Sequence, residues 1–435
     1  MKPGYQGRIA ALGQAQKLSV QVNWGWAFLL LNLGLIVFLL NYATTTAYLW
    51  FFGLLFGFVL QRSRFCFAAA FRDIFLIGNT AITRALVIGL IVGTCGFLFL
   101  EILTPGTALL ASMGKVKAVG IFTMAGALLF GFGMVIAGGC ATGMLMRMGE
   151  GYLMQWVAML GFLVGSSVGA YHLGWWMTAF GSRAQALFIP AIFGWPLAIA
   201  LQLIVLGAIY LWALGHERGW KTTKASIVKL AQSPRSLVRS PANPHPGPEK
   251  QPKSLYQVFF KKPWPYVLGA ILLATLNTAL FSLWGSPWAI TSGITYFSAW
   301  VSQGLGLSPE SWYYFQNILL LEAREGKSLL ADPTAMQFLH SPMVYHFMAI
   351  IAGSLLASLA AGEFRLRKWK SGRFVIAALV GGFLMGYGAR LALGCNIGAF
   401  FSAIPSFSVH GWVFGIFTLL GAYVGGKVLL RFLVV

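Results

Sequence analysis

Residues 131–143 read Gly131-Phe-Gly-Met-Val-Ile-Ala-Gly-Gly-Cys140-Ala-Thr-Gly143, and residues 386–398 read Gly386-Tyr-Gly-Ala-Arg-Leu-Ala-Leu-Gly-Cys395-Asn-Ile-Gly398. Both follow the pattern Gly-x-Gly-x-x-x-Ala-x-Gly-Cys-x-x-Gly, with six identities in thirteen positions. A cysteine matched among matched glycines indicates an internal repeat. A weaker third copy precedes Cys66, since Gly57 stands nine residues before it, the same spacing as in the two stronger copies.

Each of these cysteines follows the end of an apolar run and precedes a run too short to cross a bilayer: 67–71, 144–148 and 399–404. We therefore predict that a helix breaks at each cysteine and restarts as a short re-entrant half-helix. Non-helical backbone at membrane depth is tolerated only where it is buried in protein or lines a cavity. The start of a helix presents free backbone N–H groups and the positive end of a dipole, which favours a bound anion.

The composition places the chain in a membrane. Of its 435 residues 58% are hydrophobic and only 9% are charged, whereas a soluble chain has about 25% charged residues. This excludes a soluble enzyme, a disordered protein and a nucleic-acid-binding module. The net charge of +21 does not indicate a nucleic-acid partner, because the basic residues cluster between apolar runs and there report orientation. We predict an all-α polytopic membrane protein.

A spanning helix needs about 20 apolar residues. Ten segments meet this requirement: 24–42, 45–61, 80–103, 118–138, 152–172, 193–215, 264–284, 343–361, 373–393 and 411–431. Residues 173–195 and 285–342 are not assigned. The spans divide into a first membrane half at 24–215 and a second at 263–435. We predict that the helix before Cys140 runs inward and the helix before Cys395 outward. The halves would then be pseudo-symmetric inverted repeats, an arrangement that places transporter sites between them.

Lysine and arginine set the orientation. Residues 216–262 hold ten of them and residues 362–373 hold five, so both segments are predicted to be cytoplasmic. Counting spans outward puts both termini in the cytoplasm, including the N-terminal segment 1–23. The Pro-rich piece 232–253 is interpreted as a disordered linker between the halves. A docking site for a cytosolic partner and contact with anionic lipid are the alternatives.

Charges within the membrane region are rare and usually functional. Arg390 lies inside a predicted span, and Arg64 lies close to Cys66. Arg147 is interpreted as a marker of topology. Lys115 and Lys117 begin a span on the predicted outer side, where they either attract an anion or extend to the interface.

The remaining polar residues indicate no cofactor and no metal, because the six histidines have no ligand spacing. Cys95 has no repeat partner and is interpreted as a packing residue. A fourth broken element is predicted at 285–293, with hydroxyls in place of the thiol. The candidate substrate-binding residues are Cys66, Cys140, Cys395, Gly139, Thr142, Gly143, Gly394, Asn396, Gly398, Arg64 and Arg390.

Three segments, Arg62–Asp73, Gly138–Gly143 and Leu393–Gly398, resemble the three cysteine motifs of the YeeE/YedE sulfur-transport family. The resemblance implies a multi-pass, hourglass-shaped permease of the cell's inner (plasma) membrane that takes up thiosulfate. It also implies that Cys66, Cys140 and Cys395 relay the anion through S–H···S contacts. Family members often work with a small TusA-like sulfurtransferase in the cytosol.

The chain departs from the thiosulfate importers of this family in its basic, Pro-rich middle loop and in its extended 285–342 region. These features are similar to the YedE branch, which is linked to selenium metabolism, so the substrate stays open between sulfur oxyanions and selenium compounds. One alternative is a membrane thiol enzyme that carries persulfide sulfur or disulfide electrons on its cysteines. Another is a scaffold for a cytosolic sulfurtransferase.

Overall fold

The computed structural model describes residues 3–105, 108–231, 256–318, 341–369 and 371–431. Ten helices in these ranges are long and apolar enough to cross a membrane. The prediction of an all-α polytopic membrane protein with ten spans is therefore confirmed. The predicted linker at 232–253 lies outside the described residues.

The first half of the chain forms eight helices and one strand of a short hairpin. The helices are α1 Pro3–Tyr42, α2 Thr44–Ser63, α3 Phe67–Leu76, α4 Ala81–Leu103, α5 Leu109–Ser112, α6 Ile121–Ile136, α7 Ala141–Gly149 and α8 Leu153–Phe180. Strand β1, Ala118–Val119, pairs antiparallel with β2, Gln185–Ala186, which follows α8.

Seven more helices follow, one short and six longer, of which the first two begin within the first membrane half. They are α9 Ile189–Phe193, α10 Trp195–Ala231, α11 Tyr266–Trp284, α12 Thr291–Gly304, α13 Pro342–Ala361, α14 Gly372–Leu391 and α15 Val409–Leu429. Short π-helices cover Gln257–Lys261, Tyr314–Ile318 and Asn396–Phe401, and a 3-10 turn covers Pro309–Ser311. Because α10 continues to Ala231, the first part of the predicted loop 216–262 is helical.

Glycines bring the helices close together. A Cβ on Gly57 of α2 would lie 2.1 Å from the carbonyl oxygen of Ile350, and one on Gly353 of α13 would lie 2.1 Å from that of Leu54. The backbones of α2 and α13 therefore touch on both sides of their crossing. Small residues at such crossings allow the van der Waals packing that holds helices together in lipid.

We expect Gly57→Ala to lower the stability of the folded protein by about 1–3 kcal/mol, since the new methyl group overlaps a backbone oxygen that cannot rotate away. Gly207→Ala on α10 is the matched control, because a Cβ there meets nothing within 4 Å. Thermal unfolding in detergent micelles measures both variants. Equal midpoints would show that the α2–α13 crossing does not limit stability.

Helices α6 and α14 carry the two strongest repeat copies, and they pack antiparallel. Gly126 near the start of α6 approaches Gly388 and Ala392 at the end of α14, whereas Gly133 further along α6 approaches Gly381. The segments that follow these helices therefore leave opposite ends of the pair. Cys140 follows α6, and Cys395 follows α14.

Hydrogen bonds define two ends of the molecule. At the arginine end, Arg64 pairs with Glu363 at 3.2 Å, and the backbone N–H of Arg367 donates to the carbonyl of Gly151 at 2.8 Å. At the lysine end, the backbone N–H of Lys115 donates to Ser406 Oγ at 3.1 Å. The names "arginine end" and "lysine end" are used for these two faces below.

Candidate functional site

Each of the three repeat cysteines stands at the start of a short helix. Cys66 precedes α3, Cys140 precedes α7 and Cys395 precedes the π-helix Asn396–Phe401, and all three have extended backbone. In each case the residue two positions earlier is left-handed: φ is +50° at Arg64, +78° at Gly138 and +54° at Leu393. The predicted breaks with short half-helices are confirmed.

At the left-handed residues, backbone N–H groups donate to carbonyls in the last turn of the preceding helix and so terminate it. At Leu393 the N–H donates to the carbonyl of Arg390 at 3.1 Å, and the N–H of Gly394 donates to that of Ala389 at 2.8 Å. Arg64 and Phe65 make the same pair of bonds to Gln61 and Leu60. This is the Schellman type of helix ending. It turns the chain sharply enough for the cysteine to start a new helix at once.

Cys66 and Cys140 lie side by side. Their thiols are within hydrogen-bonding reach of each other, both are free, and they are 7% and 1% exposed. Gly143 borders the same space, because a Cβ on it would lie 3.1 Å from Cys66 Sγ and 3.7 Å from Cys140 Sγ. The absence of a side chain at Gly143 therefore leaves room beside both sulfurs.

Backbone amides of two helices surround this thiol pair. The N–H groups of Gly143 and Ala68 interact with the sulfur of Cys140, and that of Ala69 interacts with the sulfur of Cys66. These contacts are electrostatic and do not close full capping hydrogen bonds. The starts of α3 and α7 thus meet at the thiols. Two converging helix N-termini favour negative charge at this point.

Cys395 is 1% exposed and belongs to the neighbouring element. Its π-helix packs on α3 through the ring pairs Phe401–Phe67 and Phe400–Phe71, each with centroids 5.3 Å apart. A Cβ on Gly398 would lie 3.4 Å from the Cβ of Ala289. The predicted fourth element therefore adjoins Cys395. Its break is present, since α11 ends at the left-handed Gly285 and α12 begins at Thr291.

Several buried polar atoms at these loops have no hydrogen-bond partner in the described part of the chain. They include Thr142 Oγ1, Asn396 Oδ1 and Trp288 Nε1, on residues that are at most 1% exposed. A buried unsatisfied polar group costs about 1–3 kcal/mol, so these atoms are suited to contact a polar ligand. Gly139 and Gly394, also predicted for the site, are buried directly before the cysteines.

The side chains of the two predicted arginines, Arg64 and Arg390, form their hydrogen bonds and ion pairs with residues other than the repeat cysteines. Arg64 is at the arginine end with 57% of its side chain exposed, paired to Glu363. Arg62, two residues earlier, is the buried one, and its Nη2 donates to the carbonyl of Lys262 at 3.1 Å. Arg390 is also buried and donates to Tyr314 Oη at 2.7 Å.

Two cations outside the predicted set of site residues contact the loops before the repeat cysteines. Arg147, interpreted as a topology marker, donates from Nη1 to the carbonyl of Gly138 at 2.5 Å. Lys117, one of the two outer lysines, donates from Nζ to the carbonyl of Leu393 at 3.1 Å. Each cation thus contacts the residue two positions before a repeat cysteine. No sequence pattern marks such a contact, because any residue supplies a backbone carbonyl.

A carboxyl group at the arginine end is also perturbed. Burial raises the pKa of Glu150 above its usual value, against the opposing effect of the positive charges of Arg64 and Arg147. Gln61 Nε2 lies 3.4 Å from its Oε1 and 3.3 Å from Glu363 Oε2. The arginine end is therefore a network of both signs and not a purely cationic surface.

Comparison with known proteins gives consistent matches. A family model described as Sulphur transport matches residues 62–424, a range that contains all three repeat cysteines. The chain is 28% identical to the thiosulfate transporter TsuA of Escherichia coli (strain K12) over 379 aligned residues. The alignment covers 85% of this chain and 91% of that protein. The chain is 29% identical to TsuA of Spirochaeta thermophila over 389 residues, 87% of this chain and 97% of that protein. It is 34% identical to the probable transporter YedE of Escherichia coli (strain K12) over 178 residues, 41% of this chain and 40% of that protein.

Proposed function

The chain belongs to the sulphur transport family, and from this premise we propose that it is an inner-membrane permease for a small sulfur oxyanion, most of all thiosulfate. Two relatives matched over most of their length are named thiosulfate transporters, which supports this substrate.

The thiol pair carries the proposal. Cys66 and Cys140 are buried neighbours at two converging helix starts, with Gly143 leaving space beside both sulfurs. A neutral thiol is a weak donor, so it contacts a soft sulfur anion without trapping it. The helix N–H groups balance the charge of the anion. Several weak sites in succession allow passage.

We infer the order of the sites from their position along the fold. Cys395 follows α14 at the lysine end, and Cys140 follows α6 towards the arginine end. The basic segments 216–262 and 362–373 favour a cytoplasmic arginine end. The anion then meets Lys117, passes Cys395, reaches Cys66 and Cys140, and leaves at the arginine end, where a TusA-like sulfurtransferase is the proposed acceptor.

The packing supports an inverted relation between the halves. Helix α8 packs on α14 as α15 packs on α6, and α13 packs on α2 as α4 packs on α11. In this relation α2, α4, α6 and α8 of the first half correspond to α11, α13, α14 and α15 of the second. Each helix pair that joins the two halves therefore has an equivalent pair. Six of the ten spans lie in the first half and four in the second. Five spans, from Thr44–Leu76 to Trp195–Glu217, separate the start of α2 from the start of α11, its counterpart, and an odd number of spans reverses the direction of the second repeat.

A second candidate is a membrane thiol enzyme, and the proximity of Cys66 and Cys140 favours it. Such an enzyme would hold persulfide sulfur or a disulfide during its cycle. Mass spectrometry after exposure to thiosulfate separates the two ideas. A permease leaves free thiols, whereas the enzyme leaves a modified cysteine.

Uptake of radiolabelled thiosulfate into proteoliposomes tests the proposed function. We expect the purified wild-type chain to take up the label above empty liposomes, with excess unlabelled thiosulfate competing fully. Sulfite and selenite, added separately as competitors, define the substrate. If folded protein shows no uptake with or without a TusA-like acceptor inside the vesicles, thiosulfate is wrong as substrate, and stronger accumulation of selenite would move the assignment to selenium compounds.

A further inference from the structure

Two consecutive carbonyls before Cys140 are held by side chains. Gln155 Nε2 lies 3.4 Å from the carbonyl oxygen of Ala137, and Arg147 Nη1 donates to that of Gly138 at 2.5 Å. Gln155 belongs to the first turn of α8, the long helix that follows the loop. Arg147 belongs to α7, the short helix that Cys140 itself begins.

The same two positions before Cys395 are held in the same way. His410 Nε2 lies 2.9 Å from the carbonyl oxygen of Ala392, and Lys117 Nζ donates to that of Leu393 at 3.1 Å. His410 stands in the first turn of α15, the long helix after this loop. Before both cysteines, a neutral polar side chain contacts the carbonyl of the residue three positions earlier, and a cation donates to the carbonyl of the residue two positions earlier.

The two cations come from unrelated places in the chain. Arg147 follows its cysteine by seven residues, whereas Lys117 comes from the segment just before β1, far from Cys395 in sequence. The repeat pattern therefore does not account for their presence. What they share is the target, a left-handed residue two positions before a buried thiol. The shared target indicates a shared task at the two ends of the path.

A backbone carbonyl is a neutral acceptor, and it binds a cation less strongly than an anionic oxygen does. Arg147 makes no ion pair with a carboxylate among the described residues. Hydrogen bonds between a cation and an anionic oxygen are shorter and about twice as strong as neutral ones. A divalent sulfur oxyanion that reaches either loop is therefore a better acceptor than the carbonyl already bound.

We propose that Lys117 and Arg147 are paired clamp cations, one at each end of the path. Without substrate each cation holds its cysteine loop through the carbonyl two residues before the thiol. When the oxyanion arrives, the cation transfers from carbonyl to anion and the loop is released. Lys117 acts where the anion is received, and Arg147 acts where it leaves. This inference rests on the proposed function.

The holding role is tested without transport, by labelling the full-length chain with N-ethylmaleimide and measuring each cysteine by peptide mass spectrometry. We expect Arg147→Ala to raise the labelling rate of Cys140 about tenfold, the worth of one lost charge-assisted hydrogen bond, and to leave Cys395 unchanged. Lys117→Ala should do the reverse. Cys95, which is exposed on the spanning helix α4, is the control whose labelling neither variant should change.

The transfer role is tested by uptake kinetics. Lys117→Ala should raise the KM for thiosulfate about tenfold, since one charge-assisted contact with the incoming anion is lost. Arg147→Ala should instead lower the maximal rate. The exchanges Lys117→Arg and Arg147→Lys keep charge and donor and should restore most of each loss. Arg183→Ala and Lys368→Ala, exposed cations at the lysine and arginine ends, are the matched controls.

Two results would overturn the clamp. One is labelling at wild-type rates in both alanine variants. The other is a joint rise at all four cysteines, which reports general loosening and not a local contact. A wrong proposed function gives a different result from a wrong clamp. In that case the wild-type chain fails to take up thiosulfate, while the labelling pattern still decides whether the two loops are clamped.

Discussion

Cys140→Ala should reduce thiosulfate uptake to the level of empty liposomes, whereas Cys95→Ala should leave it at the wild-type rate. The two cysteines differ in every respect that bears on transport. Cys140 is 1% exposed, neighbours Cys66 and faces amides of two helix starts. Cys95 is exposed on α4. Removing a donor to a buried anion costs about 1–3 kcal/mol, or roughly fivefold to 150-fold in rate.

A failure to fold must be separated from a failure to transport. Alanine is smaller than cysteine by one sulfur atom, so the cavity left at Cys140 is small, and the thermal midpoint in detergent should fall only slightly. Cys140→Ser keeps a donor and should retain partial uptake. Wild-type uptake by folded Cys140→Ala would show that this thiol is not on the path.

Gly143→Ala should also abolish most uptake, by a different mechanism. Its methyl group would lie 3.1 Å from Cys66 Sγ and 3.7 Å from Cys140 Sγ, in the space that we propose for the substrate. Both thiols remain, so chemistry is preserved while access is blocked. We expect a loss of at least about tenfold, because the new methyl group fills the space beside both sulfurs and leaves the anion no room there without displacement of its neighbours.

Gly398→Ala is the matched control for Gly143→Ala. It occupies the same place in the repeat, three residues after Cys395, yet its new methyl group would meet Ala289 at 3.4 Å, an ordinary contact. Uptake assays on the two variants, side by side, should show a large loss for the first and a small change for the second. Equal losses would mean that the glycines matter for backbone conformation and not for space beside the sulfurs.

Much of this architecture could be predicted from the chain alone. Apolar run length identifies the ten spans, because crossing a bilayer imposes a length that few other structures require. The Gly-x-x-x-Ala-x-Gly-Cys pattern predicts the broken helices, because a helix that must end and restart inside the membrane needs residues that permit a sharp turn. Leu393 and Arg64 show the limit of this rule, since both take left-handed conformations without being glycine.

Contacts to backbone carbonyls could not be predicted. The bonds from Arg147 to Gly138 and from Lys117 to Leu393 depend on which helices become neighbours, and a carbonyl leaves no trace in the sequence. The different burial of Arg62 and Arg64 could not be predicted either. Both lie in one motif, but the left-handed turn at Arg64 sends its side chain to the surface and leaves Arg62 buried.

The burial of all three repeat thiols bears on the electrical integrity of the membrane. Cys66, Cys140 and Cys395 are each at most 7% exposed, so the described structure shows no open passage alongside the three thiols. A permanently open passage lined with anion-attracting groups would leak chloride and hydroxide and dissipate the voltage across the bilayer. A path that opens only around its own substrate behaves as an insulator between turnovers, and the cell can keep many copies without loss of membrane potential.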